Sequence, residues 1–171
     1  MELAMIDRWL HIIAGVTWIG LLYYFNFVQA PALAAATADK DGPGPAAISK
    51  YVAPRALLWF RWAALVTWLT GAYYLMVTKT LIGAFTLGFA VDTGKLYAAS
   101  IGFGAWLGTI MLFNVWVLIW PNQKKILGMV PATDAEKATA RRVAFLASRA
   151  NTAMSIPMLM FMQAGPHGIP F

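Results

Sequence analysis

The fold class this sequence predicts is all-α, an integral membrane bundle of four transmembrane helices, and three observations predict it. First, 60% of the 171 residues are hydrophobic, only 12% are charged, and the mean hydropathy is +0.64. That is too apolar for an ordinary soluble domain. Second, the apolar residues fall into runs of ~20 or more, the length that crosses the ~30 Å hydrocarbon layer. The runs cover about 7–29, 54–78, 94–120 and 143–163, within a single domain, 1–171. Third, the basic residues are lopsided. Arg8, Lys79 and Lys95 lie on one side of the four spans, and the other ten Lys and Arg on the opposite side. The positive-inside rule puts the richer side in the cytoplasm. Both termini are then periplasmic in a bacterial inner, or cytoplasmic, membrane. The net charge of +6 follows from this asymmetry and calls for no nucleic acid.

The first span, Asp7 to Gln29, is longer than the ~7–15 apolar residues of a signal peptide and reads as a permanent helix that Pro31 helps to end. Ala32 to Val52 reads as a polar loop around Asp39–Pro45. The second span opens with Pro54 in its first turn, where proline is tolerated. Leu81–Val91 is apolar but too short to cross, so it reads as an interfacial or re-entrant piece broken by Gly83 and Gly88. The third span is rich in small residues, with Gly104-x-x-x-Gly108 offering a close helix approach, and stops at Pro121-Asn122. The fourth begins as a soluble extension at Thr133-Asp134-Ala135-Glu136 and should kink at Pro157. No internal repeat stands out.

The candidate chemistry centres on His11. It lies about one turn inside the first span, and Gly15 and Trp18 share its face by the i, i+4, i+7 spacing. Gly15 is expected to leave space beside the imidazole and Trp18 to close that space below. One reading of His11 is a structural donor near the interface. The other is an axial ligand to the iron of a b-type haem. His167 in the C-terminal tail is the only other histidine and a candidate second ligand, and Lys95 could meet a propionate. The absence of cysteine excludes disulfides, thiolate metal sites and a covalently attached c-type haem. Arg61 and Arg149, with Asn26 and Asn151, suggest an anion or quinone headgroup site near the cytoplasmic boundary. No carboxylate lies deep within a span, which argues against a proton-coupled transporter. Nucleotide-binding, zinc-protease and serine-hydrolase motifs are absent from the sequence.

Three stretches together resemble a known family: RWLHIIAGVTWIG, LWFRWAALVTWLTG, and the segment from Gly104 through IMLFNVWVLIWPNQKKI to SIPMLMFM. They are similar to the urate oxidase N-terminal domain, the membrane part of bacterial cytochrome-linked urate oxidases. The resemblance implies an integral membrane redox protein that passes electrons to a cytochrome c. Against that pattern the sequence is expected to be a short, stand-alone version without the family's additional central helices and its cytochrome domain. Gly102 and Ala150 stand where the family pattern has histidines, and Ala63 where it has an acid. His11 carries over, with His167 as an approximate match. The first helix is also similar to that of small membrane protoporphyrinogen oxidases, in which a histidine and a lysine attend a porphyrin. Three functions are therefore expected as alternatives. One is a haem-bearing electron carrier paired with a periplasmic cytochrome c. The second is a non-catalytic subunit of a larger membrane complex. The third is a porphyrin-handling oxidase.

Overall fold

The computed structural model describes residues 2–167, with side chains for 3–164, and the described chain is all-helical. The elements are α1 (Glu2–Tyr23), α2 (Ala30–Ala38), α3 (Ala53–Val77), α4 (Leu81–Phe85), α5 (Lys95–Phe113), α6 (Trp120–Ile126) and α7 (Asp134–His167). Stretches of π-helix, Tyr24–Gln29 and Asn114–Ile119, join α1 to α2 and α5 to α6 without a break. A third, Ile48–Val52, leads into α3.

Two expected helix ends are therefore corrected. Pro31 and Pro121 do not stop their helices, which run on to Ala38 and Ile126. The reason is local. A proline inside an α-helix removes an N–H and collides with the carbonyl four residues back. Each π stretch ends two residues before a proline, at Gln29, Val52 and Ile119 ahead of Pro31, Pro54 and Pro121. The residue just before each proline donates its N–H five residues back: Ala30 to Phe25 O, Ala53 to Ile48 O, and Trp120 to Val115 O. We attribute the continuity to this wider turn, which gives the proline ring room while the helix goes on. α7 also runs on through Pro157, there as α-helix throughout.

Packing divides the bundle into two pairs. α1 lies chiefly against α3, and α5 chiefly against α7. Each pair is led by a helix that carries Trp-x-Gly and then Phe-Asn at one spacing. These are Trp18, Gly20, Phe25 and Asn26 in the first and Trp106, Gly108, Phe113 and Asn114 in the second. The correspondence is a short likeness between the two leading helices. The pairs share one core, built from Trp18 and Leu22, Leu57, Phe60 and Ala64, Met111 and Val115, and Ala147 and Met158. Buried polar groups tie the helices, Asn26 and Tyr23 across the two pairs and Asn114 and Asn151 within the second. Asn26 Nδ2 donates to Leu22 O at 2.9 Å and to Ser148 Oγ at 2.8 Å. Asn114 Nδ2 donates to Asn151 Oδ1 at 2.8 Å, and Asn151 Nδ2 to Met111 O at 3.0 Å. Ser155 gives its hydroxyl proton to Thr152 O at 2.7 Å, so at 2.9 Å Tyr23 is the donor to Ser155 Oγ.

Two continuous helices, Leu3–Ala38 and Lys95–Ile126, are long and apolar enough to cross a membrane. Only 28% and 22% of their apolar windows are buried. A soluble core helix would be covered, whereas here Trp9, Ile13, Val16, Phe113 and Val117 face outward.

The short segment after α3 folds back onto α5. Gly88, at φ +81°, takes a left-handed conformation in the turn and donates its N–H to Gly83 O at 2.8 Å. Trp106 Nε1 donates to Phe85 O at 3.2 Å, and the two rings meet edge to face. The backbone of α4 comes so close that a Cβ at Gly102 would overlap the Ala84 carbonyl oxygen. Gly104 faces the Met162 side chain, while a Cβ at Gly108 would enter open space. The close helix approach expected at Gly104 and Gly108 is thus centred on Gly102 and Gly104. At the start of α7, Thr133 and Glu136 form a reciprocal cap. Thr133 N and Oγ1 donate to Glu136 Oε2 at 2.8 and 2.9 Å, which holds that carboxyl below its usual range.

Gly102→Ala should lower stability by ~1–3 kcal/mol, the usual range for overpacking, because the atom it meets is backbone. Gly108→Ala should cost nothing measurable. Unfolding midpoints of the two variants in one detergent check the contrast.

Candidate functional site

His11 sits on the inward edge of α1 and reaches α3. Its Nδ1–H donates to Thr67 O at 2.8 Å. The Thr70 hydroxyl, which gives its own proton to Val66 O at 2.7 Å, lies 3.3 Å from the same nitrogen. The ring rests on Gly71, where a Cβ would come within 2.9 Å of Cε1 and 3.2 Å of Nδ1. Three features of α3 thus fix the imidazole: a backbone carbonyl, a hydroxyl and a missing side chain. With Nδ1 spent on a carbonyl, the neutral ring keeps its lone pair on Nε2. That is the arrangement a metal-ligating histidine usually has, one nitrogen held by a carbonyl and the other free. Nε2 has no hydrogen-bond partner among the described residues, and it is not one of the sealed, unpartnered atoms. It therefore opens outward. One turn nearer the end of the helix, Asp7 Oδ2 is sealed and has no partner among the described residues.

The other predicted members of the site are distributed differently. A Cβ on Gly15 would make ordinary contact with the Thr67 methyl at 3.7 Å, so the space beside His11 is already filled from α3. Trp18 is 2% exposed and belongs to the shared core, with Nε1 sealed and unpartnered. The slot expected between Gly15 and Trp18 is therefore closed. Lys95, at the start of α5, is exposed. α1 packs chiefly on α3 rather than on α5, so the fold does not gather Lys95 to His11. The side chain of His167 lies outside the described residues. No group of three or more His, Cys, Asp or Glu able to hold a metal occurs among the described residues.

A b-type haem can be tested against these atoms. The donor fits: His11 Nε2 is a neutral, oriented imidazole nitrogen. The predicted seat does not, because the Thr67 methyl and the core packing of Trp18 occupy it. An open apolar groove of about 670 Å³ runs between α3 and α4, bounded by Trp68, Tyr73, Met76 and Phe85. His11 does not line it. The expected quinone headgroup site is likewise not assembled as drawn. Asn26 and Asn151 are committed to the interhelical bonds described above. Arg61 stacks on Trp120, and Arg149 lies over Phe145 of its own helix.

Thr67, Thr70 and Gly71 were missed as site residues. Their signal was present in the sequence, since Thr67 and Gly71 stand one turn apart on a span otherwise crowded with large side chains.

These features define a helical protein with two membrane-length helices and one oriented histidine on the rim of a filled core. The family described as urate oxidase N-terminal matches the chain at residues 1–87 and 80–171. The chain belongs to that family. No curated protein and no solved structure matches it.

Two substitutions separate the real cradle of His11 from the expected one. Gly71→Ala should push the ring off Thr67 O and lower stability by ~1–3 kcal/mol, as overpacking does. Gly15→Ala should be neutral, or stabilising by ~0.5–1 kcal/mol from removing a helical glycine. Unfolding midpoints, together with the nitrogen-15 shifts of the His11 ring, check both.

Proposed function

We propose that the chain is a four-span protein of the bacterial inner membrane, with both ends periplasmic, that works as a membrane redox module. In this reading His11 would offer Nε2 to a b-type haem held outward of the ring, since the expected seat between Gly15 and Trp18 is filled. The module would exchange electrons with a separate periplasmic cytochrome c or with a larger membrane complex. Membership of the urate oxidase N-terminal family supports the redox setting. The single observation that carries the site is the 2.8 Å bond from His11 Nδ1 to Thr67 O, which fixes the ring and leaves Nε2 available. When bound, the haem would supply an iron centre that gains and loses one electron. The protein's own part is to hold the imidazole in one tautomer. The Thr67 carbonyl does this by accepting the Nδ1 proton, while Gly71 fixes the ring's position by giving it a surface to lie on. The filled core excludes water from the inner side of the ring. Urate oxidation itself is not part of the proposal.

A second reading is a non-catalytic subunit of a larger membrane complex. The observation favouring it is the solid shared core, together with large aromatic side chains left outward: Trp9, Trp59, Phe89 and Phe113.

The absorption spectrum of the purified full chain decides between them. The redox reading expects a Soret band that disappears in His11→Ala and survives in Gly15→Ala. With a single firm imidazole ligand, carbon monoxide should shift the reduced spectrum. A colourless protein that co-purifies at a fixed ratio with an oxidase would establish the second reading and remove the first.

A further inference from the structure

The basic end of the bundle contains a pair of cations that the redox reading does not use. The Arg61 guanidinium lies 3.7 Å from the centre of the Trp120 ring, and Lys124 Nζ lies 5.9 Å from the same ring. Trp120 and Lys124 are on α6, so α3 and α6 together bring two positive charges to one indole. A guanidinium has five N–H donors. Arg55 spends one on Tyr51 O at 2.7 Å, but Arg61 makes neither a hydrogen bond nor an ion pair among the described residues. Its nitrogens are not among the sealed, unpartnered atoms, so they open outward. The nearby acid is on another side of α6. Lys125, not Lys124, shares a surface hollow with Glu136, and that carboxylate is held by Thr133.

The indole occupies one face of the guanidinium and leaves its donor edge free. A planar fork of donors beside a second cation matches the oxygens of a phosphate. Arg61 is eight residues into α3, ~12 Å along the helix at 1.5 Å per residue. From there a long side chain reaches outward to the headgroup level of a bilayer. An arginine at that depth, with no acceptor in the protein, takes one from its surroundings. The cytoplasmic leaflet is the one that carries anionic lipid.

We propose that Arg61, Trp120 and Lys124 form a binding site for the phosphate of an anionic phospholipid in the cytoplasmic leaflet. The site rests on the four-span reading and is independent of haem. Arg149 is its internal control. It faces Phe145 at 5.1 Å on its own helix, and among the described residues no second cation shares that ring.

Native mass spectrometry of the full chain in a neutral detergent tests the proposal, with phosphatidylglycerol and phosphatidylcholine titrated in turn. The unaltered chain should retain phosphatidylglycerol at least about tenfold better than phosphatidylcholine. Arg61→Gln should abolish that preference, Lys124→Gln should reduce it several-fold, and Arg149→Gln should leave it intact. Lys124 is on the surface of α6, so its variant provides the readout even if Arg61→Gln fails to fold. Equal retention of the two lipids by the unaltered chain, or a preference surviving both substitutions, would overturn the site. Inorganic phosphate that binds without lipid and fully displaces phosphatidylglycerol would mark a free-phosphate site and overturn the lipid assignment. Carbonate washing of membranes separates the two levels of the argument. Release of the chain would sink the four-span reading. Retention without lipid preference would sink this inference alone.

Discussion

The constraint on which the rest of the structure depends is that long apolar helices must carry proline without stranding backbone polar groups. In hydrocarbon there is no water to satisfy a freed carbonyl. Here the conflict is met three times in one way, by a π turn ending two residues before Pro31, Pro54 and Pro121. The result is that α1–α2 and α5–α6 remain single rods. Two of these wide turns also bear asparagines. Asn26 and Asn114 use their amides to tie those rods to α7, through Ser148 and Asn151. The first of these turns thus ties the two helix pairs together, and the second ties α5–α6 to its own partner α7.

A bundle tied in this way leaves little room inside. Trp18, Leu22, Phe60, Met111 and Val115 are all nearly or fully buried in one shared cluster. Any chemistry must therefore take place at the rim, and that is where His11 is found. Its orientation comes wholly from α3, by a carbonyl on one side and a glycine on the other. An imidazole at the rim would suit the proposed exchange with an external partner better than a buried substrate pocket. The phosphate site is on the opposite rim, where α6 brings Trp120 and Lys124 over Arg61.

Much of the architecture was legible in the sequence, because hydropathy and helix length follow directly from composition along the chain. The four long helices, the short segment after α3 and the Thr133–Glu136 cap were all readable. The helix ends at Pro31 and Pro121 were not. Proline reads as a stop signal along the sequence, and nothing in the residues Tyr24–Gln29 announces the wider turn that accommodates Pro31. His11 was legible as the candidate ligand, being a titratable residue in an apolar run. Its surroundings were not, since they depend on which helix lies beside it. Gly15 looked like open space, yet the Thr67 methyl fills it, whereas Gly71, on another helix, is the glycine that the ring needs. Gly102 illustrates the same limit. Its role is to admit the α4 backbone, and no one-dimensional pattern shows that contact.

The central claim is a four-span bundle whose ends and whose Leu81–Val91 segment share the periplasmic side with His11. The natural absence of cysteine makes the most direct measurement clean. Single substitutions Ala4→Cys, Asp41→Cys, Asp92→Cys and Val130→Cys are treated in intact cells with a membrane-impermeant thiol reagent. The account predicts labelling at positions 4 and 92, with positions 41 and 130 labelled only after the membrane is opened. Labelling of 41 or 130 in intact cells, with 4 and 92 protected, would contradict it.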